Sequence, residues 1–190
     1  TLSGNLDLGG ATRTFTVGDS TSATEDLIIS AIVSNGGVTK AGTGTMTLSG
    51  VNTYSGTTTL SAGTLRATTS ASALGAGALS LGGGTLELAN DTGLNFGRNT
   101  TVTAATTIRS DRLTSGVGVA HTLGTLSQGN TILTINPGVN AASGTADIVF
   151  GATTLTNSPT YTVNSGAALT IGTLANGGSN RTITKSGAGM

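Results

Sequence analysis

Carboxylates are where chemistry would have to begin in this chain, and there are eight: Asp7, Asp19, Glu25, Asp26, Glu87, Asp91, Asp111 and Asp147. Cleaving a glycosidic bond needs two of them held a few ångströms apart, and a metal-assisted elimination needs a carboxylate cluster around a cation. Only Glu25 and Asp26 are adjacent, and neighbours on a strand point to opposite faces, so a solvated loop is expected there. The densest charge is Arg109-Ser110-Asp111-Arg112. It could contact an anion or a sugar, but an exposed turn with local ion pairing, which contributes little at a surface, is the expectation. His121 stands alone, with no Ser, Asp or Cys spaced for a triad or a metal, and a structural role is expected of it. Tyr54, in Asn52-Thr53-Tyr54, is expected to pack over a chain corner with its hydroxyl hydrogen-bonded in preference to stacking on a sugar. No catalytic, cofactor-binding or metal-binding residue is nominated, and no cofactor is implied.

The glycines do not make a phosphate loop. No Gly-x-x-x-x-Gly-Lys-Ser/Thr occurs and no glycine-rich stretch leads into a helix, nor is there the Gly-Gly-x-Gly-x-Asp of calcium-binding solenoids. Their plainer use is positive φ at corners. Threonine pairs recur at Thr12/Thr14/Thr16, Thr45/Thr47, Thr57/Thr59 and Thr101/Thr103. Same-face threonines could order water as ice-binding solenoids do, yet threonine also suits exposed strands, and the irregular spacing favours that reading.

The elements that would carry these residues are short strands. Segments of three to seven residues alternate polar with apolar and are bounded by Gly, Asn, Ser or Asp: Thr14–Val17, Leu27–Val33, Thr45–Leu48, Thr57–Leu60, Gly63–Leu65, Ala78–Leu81, Thr85–Leu88 and Thr100–Thr103, then Thr106–Ile108, Thr122–Leu126, Thr131–Ile135, Asp147–Phe150, Thr160–Val163, Ala168–Ile171 and Arg181–Lys185. No window repeats apolar residues at helical spacing. With 31 glycines among 190 residues, two prolines, no cysteine or tryptophan, 3% aromatics and 8% charged residues, a compact ball lacks the large side chains to fill it. A line of small coils, each burying an aliphatic or two, suits the inventory. Disorder is disfavoured by zero net charge and a slightly positive mean hydropathy. Scattered cations, with only Lys40 and Lys185 as lysines, argue against nucleic acid, and no apolar run reaches the ~20 residues that span a bilayer.

Repeats sharpen the picture. Val38-Thr39-Lys40-Ala41-Gly42-Thr43-Gly44-Thr45-Met46 is echoed by Ile183-Thr184-Lys185-Ser186-Gly187-Ala188-Gly189-Met190, each after a Gly-Gly pair. Thr1-Leu2-Ser3-Gly4 repeats Thr47-Leu48-Ser49-Gly50, so the 190 residues are expected to approximate one unit of a tandem array cut from a longer protein. The expected fold is a right-handed parallel β-helix, an all-β solenoid of about eight coils of ~20–25 residues with little or no helix. At ~4.8 Å per stacked strand it would be roughly 40 Å long.

The stretch from Gly42 to Leu65, with Gly44-Thr45-Met46-Thr47-Leu48-Ser49-Gly50, Asn52-Thr53-Tyr54 and Gly63-Thr64-Leu65, resembles the autotransporter passenger-associated β-strand repeat, with Met46 in place of the usual Leu, a volume-conserving swap. Ser72–Leu86 continues in the same style. The match covers residues 36–90 and resumes at 177–190; between 91 and 176 the likeness is one of texture. The resemblance implies a β-helical stem of a large secreted bacterial protein, extracellular or on the cell surface. One solenoid segment spanning residues 1–190 is expected, its partners being copies of itself or adjoining repeats, with surface glycans if it is an adhesin. A structural fibre, an adhesin and a polysaccharide-active enzyme are the three functions in play. The fibre, self-associating end to end through its strand edges, is preferred, and no enzymatic activity is expected.

Overall fold

The computed structural model describes residues 1–190 as stacked coils of strand and corner, without a helix. Accordingly no helix is long and apolar enough to cross a membrane. Two eight-stranded parallel sheets run through the molecule. The first is made by Asn5–Thr16, Ile32–Ala41, Thr58–Leu60, Leu79–Leu81, Thr100–Val102, Leu126–Gln128, Thr153–Leu155 and Leu174–Ala175. The second alternates with it along the chain: Leu27–Ile29, Thr45–Leu48, Thr64–Thr68, Thr85–Ala89, Thr106–Asp111, Ile132–Pro137, Thr160–Val163 and Thr184–Ser186. One strand of each sheet per turn gives eight coils, as the sequence leads one to expect.

The coils are of two kinds. From Leu27 the inner file of the second sheet runs through Met46, Leu65, Leu86 and Ile108, four short turns in succession. Hydrogen bonds from one short turn to the next accordingly join positions 19 to 22 apart, as in Asn52 to Val33 and Thr103 to Leu81. The next partners in the file, Ile135 and Val163, come only after longer excursions. There the corresponding separations are 27 and 28, as in Leu94 to His121 and Asn136 to Asn164. The added length forms a third sheet, Ala120–Thr122, Ala146–Phe150 and Ala167–Ile171, and a small two-stranded one, Gly116–Val117 with Ala141–Ser143. The expected single strands Leu27–Val33 and Thr122–Leu126 are each interrupted. Ser30 and Ala31 turn a corner with both amides on the Leu2 carbonyl, and Leu123–Thr125 is the corner between the third sheet and the first. Four short strands, at 116–117, 141–143, 153–155 and 174–175, have no counterpart in the sequence pattern.

Period-two alternation places one side chain in two inside, and both long sheets feed one cluster of 30 buried residues. Each buried aliphatic contributes about 1.5–3 kcal/mol. Corners are held by close backbone contact: a Cβ on Gly56 would overlap the Gly36 carbonyl, and one on Gly77 the Gly56 carbonyl, so this corner is glycine in three successive coils. Side chains also tie coil to coil. Asn52 accepts from the Val33 amide (2.8 Å) and donates to the Ala73 carbonyl (2.7 Å), linking three successive coils.

The echo of Val38–Met46 at Ile183–Met190 falls in different places. Val38–Ala41 belongs to the first sheet, whereas Thr184–Ser186 belongs to the second. What the two share is a turn: Lys40 Nζ donates to the carbonyls of Ala41 and Gly42, and Lys185 Nζ to those of Gly187 and Gly189. The likeness therefore reports common turn chemistry at two different positions in the coil.

Candidate functional site

Residues on a solenoid meet when they are one coil apart, and the outer face of the second sheet shows it. Thr47, Arg66, Glu87, Arg109 and Asn136 are successive register partners. Arg66 reaches Glu87 through Nε at 2.6 Å and Glu25 through Nη1 at 3.0 Å, while Arg109 stands 3.9 Å from the free oxygen of Glu87. Glu25 and Asp26 lie in the expected loop, just before the strand Leu27–Ile29, half-buried and with both carboxylates engaged. Glu25 accepts from the Thr47 hydroxyl as well as Arg66. The amides of Thr45 and Ser20, both at 2.7 Å, fix the Asp26 carboxyl and hold it below the usual carboxylate range. Asp26 thus serves two amides, one of the loop and one of the next coil, while Glu25 serves side chains of the following coils, demands that adjacency in sequence does not show.

The Arg109–Arg112 cluster is likewise not an exposed turn. Arg109, Ser110 and Asp111 end a six-residue strand, in register with Glu87, Leu88 and Ala89. Ser110 points inward, fully buried, and donates to the Val119 carbonyl (2.8 Å). Asp111 is 1% exposed because Gly138 and Asn140 of the next coil pack over it. Its Oδ1 accepts from the Arg112 and Asn140 amides (2.8 and 2.9 Å), and its Oδ2 has no partner. Arg112 turns away to the Asp91 and Val117 carbonyls, and the Asp91 carboxyl, held below its ordinary range chiefly by the Thr114 amide, fastens the same loop.

Between loop 19–25 and the Val139-Asn140 turn the charged file floors a groove of about 590 Å³. Its floor is Thr45, Thr64, Arg66, Glu87 and Arg109, and Asp111 stands in its wall. No three His, Asp or Glu side chains converge anywhere to surround a metal ion.

His121 is fully buried. Nδ1 accepts from the Leu94 amide (3.0 Å), so Nε2 carries the proton and donates to the Asp111 carbonyl (2.9 Å). Burial pushes its pKa down, and the ring meets Phe96 edge-on at 5.9 Å. Tyr54 closes a corner, its hydroxyl 2.7 Å from Thr58 Oγ1, which donates to the Leu74 carbonyl. Burial takes that phenol up to about 12. Lys40, singled out in the sequence only by its echo, is completely buried, its ammonium satisfied by the Ala41, Gly42 and Ala62 carbonyls (3.0, 2.8 and 3.1 Å).

The threonines resolve into files. On the first sheet Thr14, Thr39, Thr59, Ser80, Thr101, Ser127 and Thr154 are partners in unbroken succession. On the second, Thr45, Thr64, Thr85, Thr107, Thr134, Thr162 and Ser186 do the same. Irregular spacing in sequence becomes a regular file because coil lengths vary. The flanking files are not hydroxyl rows: Thr12 and Thr16 are followed by Gly37 and Ala41, and Thr47 by Arg66. The paired columns that would template ice are absent.

Charges taken at the coil spacing would have pointed to the Glu25, Arg66, Glu87, Arg109 file, since each lies one or two turns from the next. The buried Lys40 and the loop roles of Asp91 and Arg112 had no such signal.

Known proteins share part of this pattern. The family model of the passenger-associated-transport-repeat matches residues 38–67, within the stretch that the sequence singles out. The chain is similar to the adhesin BmaC autotransporter of Brucella suis biovar 1 (strain 1330), 40% identical over 129 residues. That match takes in 65% of this chain and spans 3% of the BmaC protein. No solved structure matches the chain.

Proposed function

We propose that these 190 residues are a length of stem in a secreted bacterial surface protein, acting mechanically and without catalysis. The observation that carries this reading is the continuity of files: the same inner aliphatic column and outer hydroxyl columns pass through coil after coil. Stability in such an array is a sum of coils and their interfaces, which makes length adjustable at little cost to the fold. The match at residues 38–67 to a passenger repeat, and the likeness to a protein named as an adhesin autotransporter, support an extracellular setting. Residues 1–190 form one solenoid segment in this reading. Its last coil leaves Tyr161, Leu169, Ile171, Leu174 and Ile183 around a hollow of about 300 Å³, a surface suited to an adjoining coil of the same kind, whether of the same chain or of another copy.

Two manipulations of the full-length protein test it. An epitope placed in the exposed loop at Thr21-Ser22 should be labelled on intact cells; labelling only after permeabilisation would sink the surface assignment. Excising residues 65–85, which joins Thr64 to Leu86 and removes one coil in register, should leave export and folding intact and shorten the stem by one strand spacing. Loss of surface display in that variant, with a normal amount of intact protein inside the cell, would count against a passive spacer.

A further inference from the structure

We propose that Asn176 is a self-modifying site: the Gly177 main-chain nitrogen displaces its side-chain amide, and water converts the product to a carboxylate that pairs with Arg181. The inference holds for a stem or a free domain alike, and so stands apart from the mechanical reading. Two Asn-Gly steps occur in the chain, Asn35-Gly36 and Asn176-Gly177. Glycine has no side chain to hinder attack by its own nitrogen on the residue before it, so by sequence both steps qualify. Both asparagines are exposed, and access by water does not choose between them. Their surroundings do.

At Asn176 the parts of the reaction are assembled. Its Oδ1 accepts from the Gly178 amide at 3.2 Å, an Asx turn that folds the side chain back along the following peptide. That amide sits on the oxygen where negative charge gathers as the carbon is attacked, the role of an oxyanion donor. The Gly177 nitrogen, the nucleophile, makes no main-chain hydrogen bond that would hold it elsewhere. Beside it, Arg181 Nη2 stands 3.2 Å from the point a Cβ on Gly177 would take, and Arg181 Nε and Nη1 have no partner. A guanidinium so placed favours loss of the Gly177 amide proton and the anionic intermediate, and then stabilises the carboxylate formed.

The Gly177 nitrogen bonds to Asn176 Cγ, the Cγ–Nδ2 bond breaks, and ammonia leaves with the Gly177 proton. Water then opens the cyclic imide at either carbonyl, giving aspartate or, with the main chain rerouted through Cγ, isoaspartate. The net change takes an amide and a water to a carboxylate and an ammonium ion.

Asn35 is held out of the same reaction. Its Nδ2 donates to Asp7 Oδ1 (3.0 Å) and its φ of +56° is left-handed. Gly36 is paired in the first sheet and packed on the Ala11 carbonyl, which an added Cβ would overlap. Attack there would have to lift Gly36 out of the sheet, and the new carboxylate would face that of Asp7, a like charge.

The test is an incubation of the 190-residue chain at mildly alkaline pH, folded and in urea, followed by peptide mapping in a mass spectrometer. Labelling by isoaspartyl methyltransferase reports the rerouted product. In the folded chain Asn176 should convert roughly tenfold faster than Asn35, and in urea the two rates should converge. Arg181→Gln should slow conversion of Asn176 severalfold and Arg181→Lys should restore most of it, with melting curves verifying that both variants are folded. Equal rates at the two steps in the folded chain overturn the proposal, as does an intact Asn176. A difference that persists in urea belongs to local sequence and not to the fold, and an unchanged rate in Arg181→Gln removes the cation from the reaction; either result overturns it.

Discussion

Between Leu27 and Ile108 the chain returns to the same file in four short turns, whereas the two turns from Ile108 to Val163 are each longer by about a third. The short turns consist of two strands and two corners, so every residue is committed: aliphatics inward, threonine mostly outward, glycine where backbone meets backbone, and Lys40 and Asn52 buried to tie corners together. Such a turn must repeat in sequence, and it is here that the passenger repeat matches. The long turns carry a third sheet and projecting loops, which absorb changes of length. Their sequence is free to drift, and the polar groups they bury belong to no repeat: Asp111 under Gly138 and Asn140, and His121 between Leu94 and Asp111. Tightness enforces resemblance, down to the buried Asn52 and Tyr54 of the repeat; slack lets it lapse.

Truncating a packed aliphatic should separate the two regions most sharply. Leu86→Ala, in the fully buried file of a short turn, is expected to cost about 2–5 kcal/mol, and Leu169→Ala, half-buried on the third sheet, distinctly less. Urea unfolding with amide exchange read coil by coil would check both, and equal losses would erase the distinction. Next in size, Gly75 has φ +70° and sits against the Tyr54 ring, which an added Cβ would overlap. Gly75→Ala should cost about 2–3 kcal/mol, measured as a lowered urea midpoint.

In the long turns, pH is the lever. Burial lowers the pKa of His121 in the folded chain, so the unfolded chain binds a proton first as pH falls. Stability present above about 6.5 is therefore lost below it, by up to about 1.4 kcal/mol per pH unit, until the folded value is reached. Melting temperatures between pH 7 and 5 should fall for the native chain and stay level over the same range for His121→Gln. The smallest effect belongs to the surface file: Arg66→Gln should cost about 1 kcal/mol, shrinking in high salt, and a loss unchanged by salt would mean that Arg66 acts through packing.

Much of this architecture was legible because the short turns leave little choice. Thr45–Leu48 and its neighbours announce strands by alternation alone, and the glycines announce the corners. Tyr54 was placed at its corner by the motif that surrounds it. What escaped detection depended on contacts between coils. Asp111 looked like surface because its cover, from Gly138 and Asn140, is supplied by the following long turn. Glu25 looked free because its partner Arg66 arrives two turns further along the chain. The strand 116–117 exists only because 141–143 lies beside it.

The two turn lengths also bear on what happens when the rod is stretched. Pulled from its ends, a stack of coils gives way one coil at a time, and each rupture releases the contour stored in that coil. Short turns would yield steps of about 70 Å and long ones about 95 Å, at ~3.4 Å per residue. A force–extension trace would then carry two step sizes in one molecule, and the order in which they come would report which half of the rod is the weaker under load.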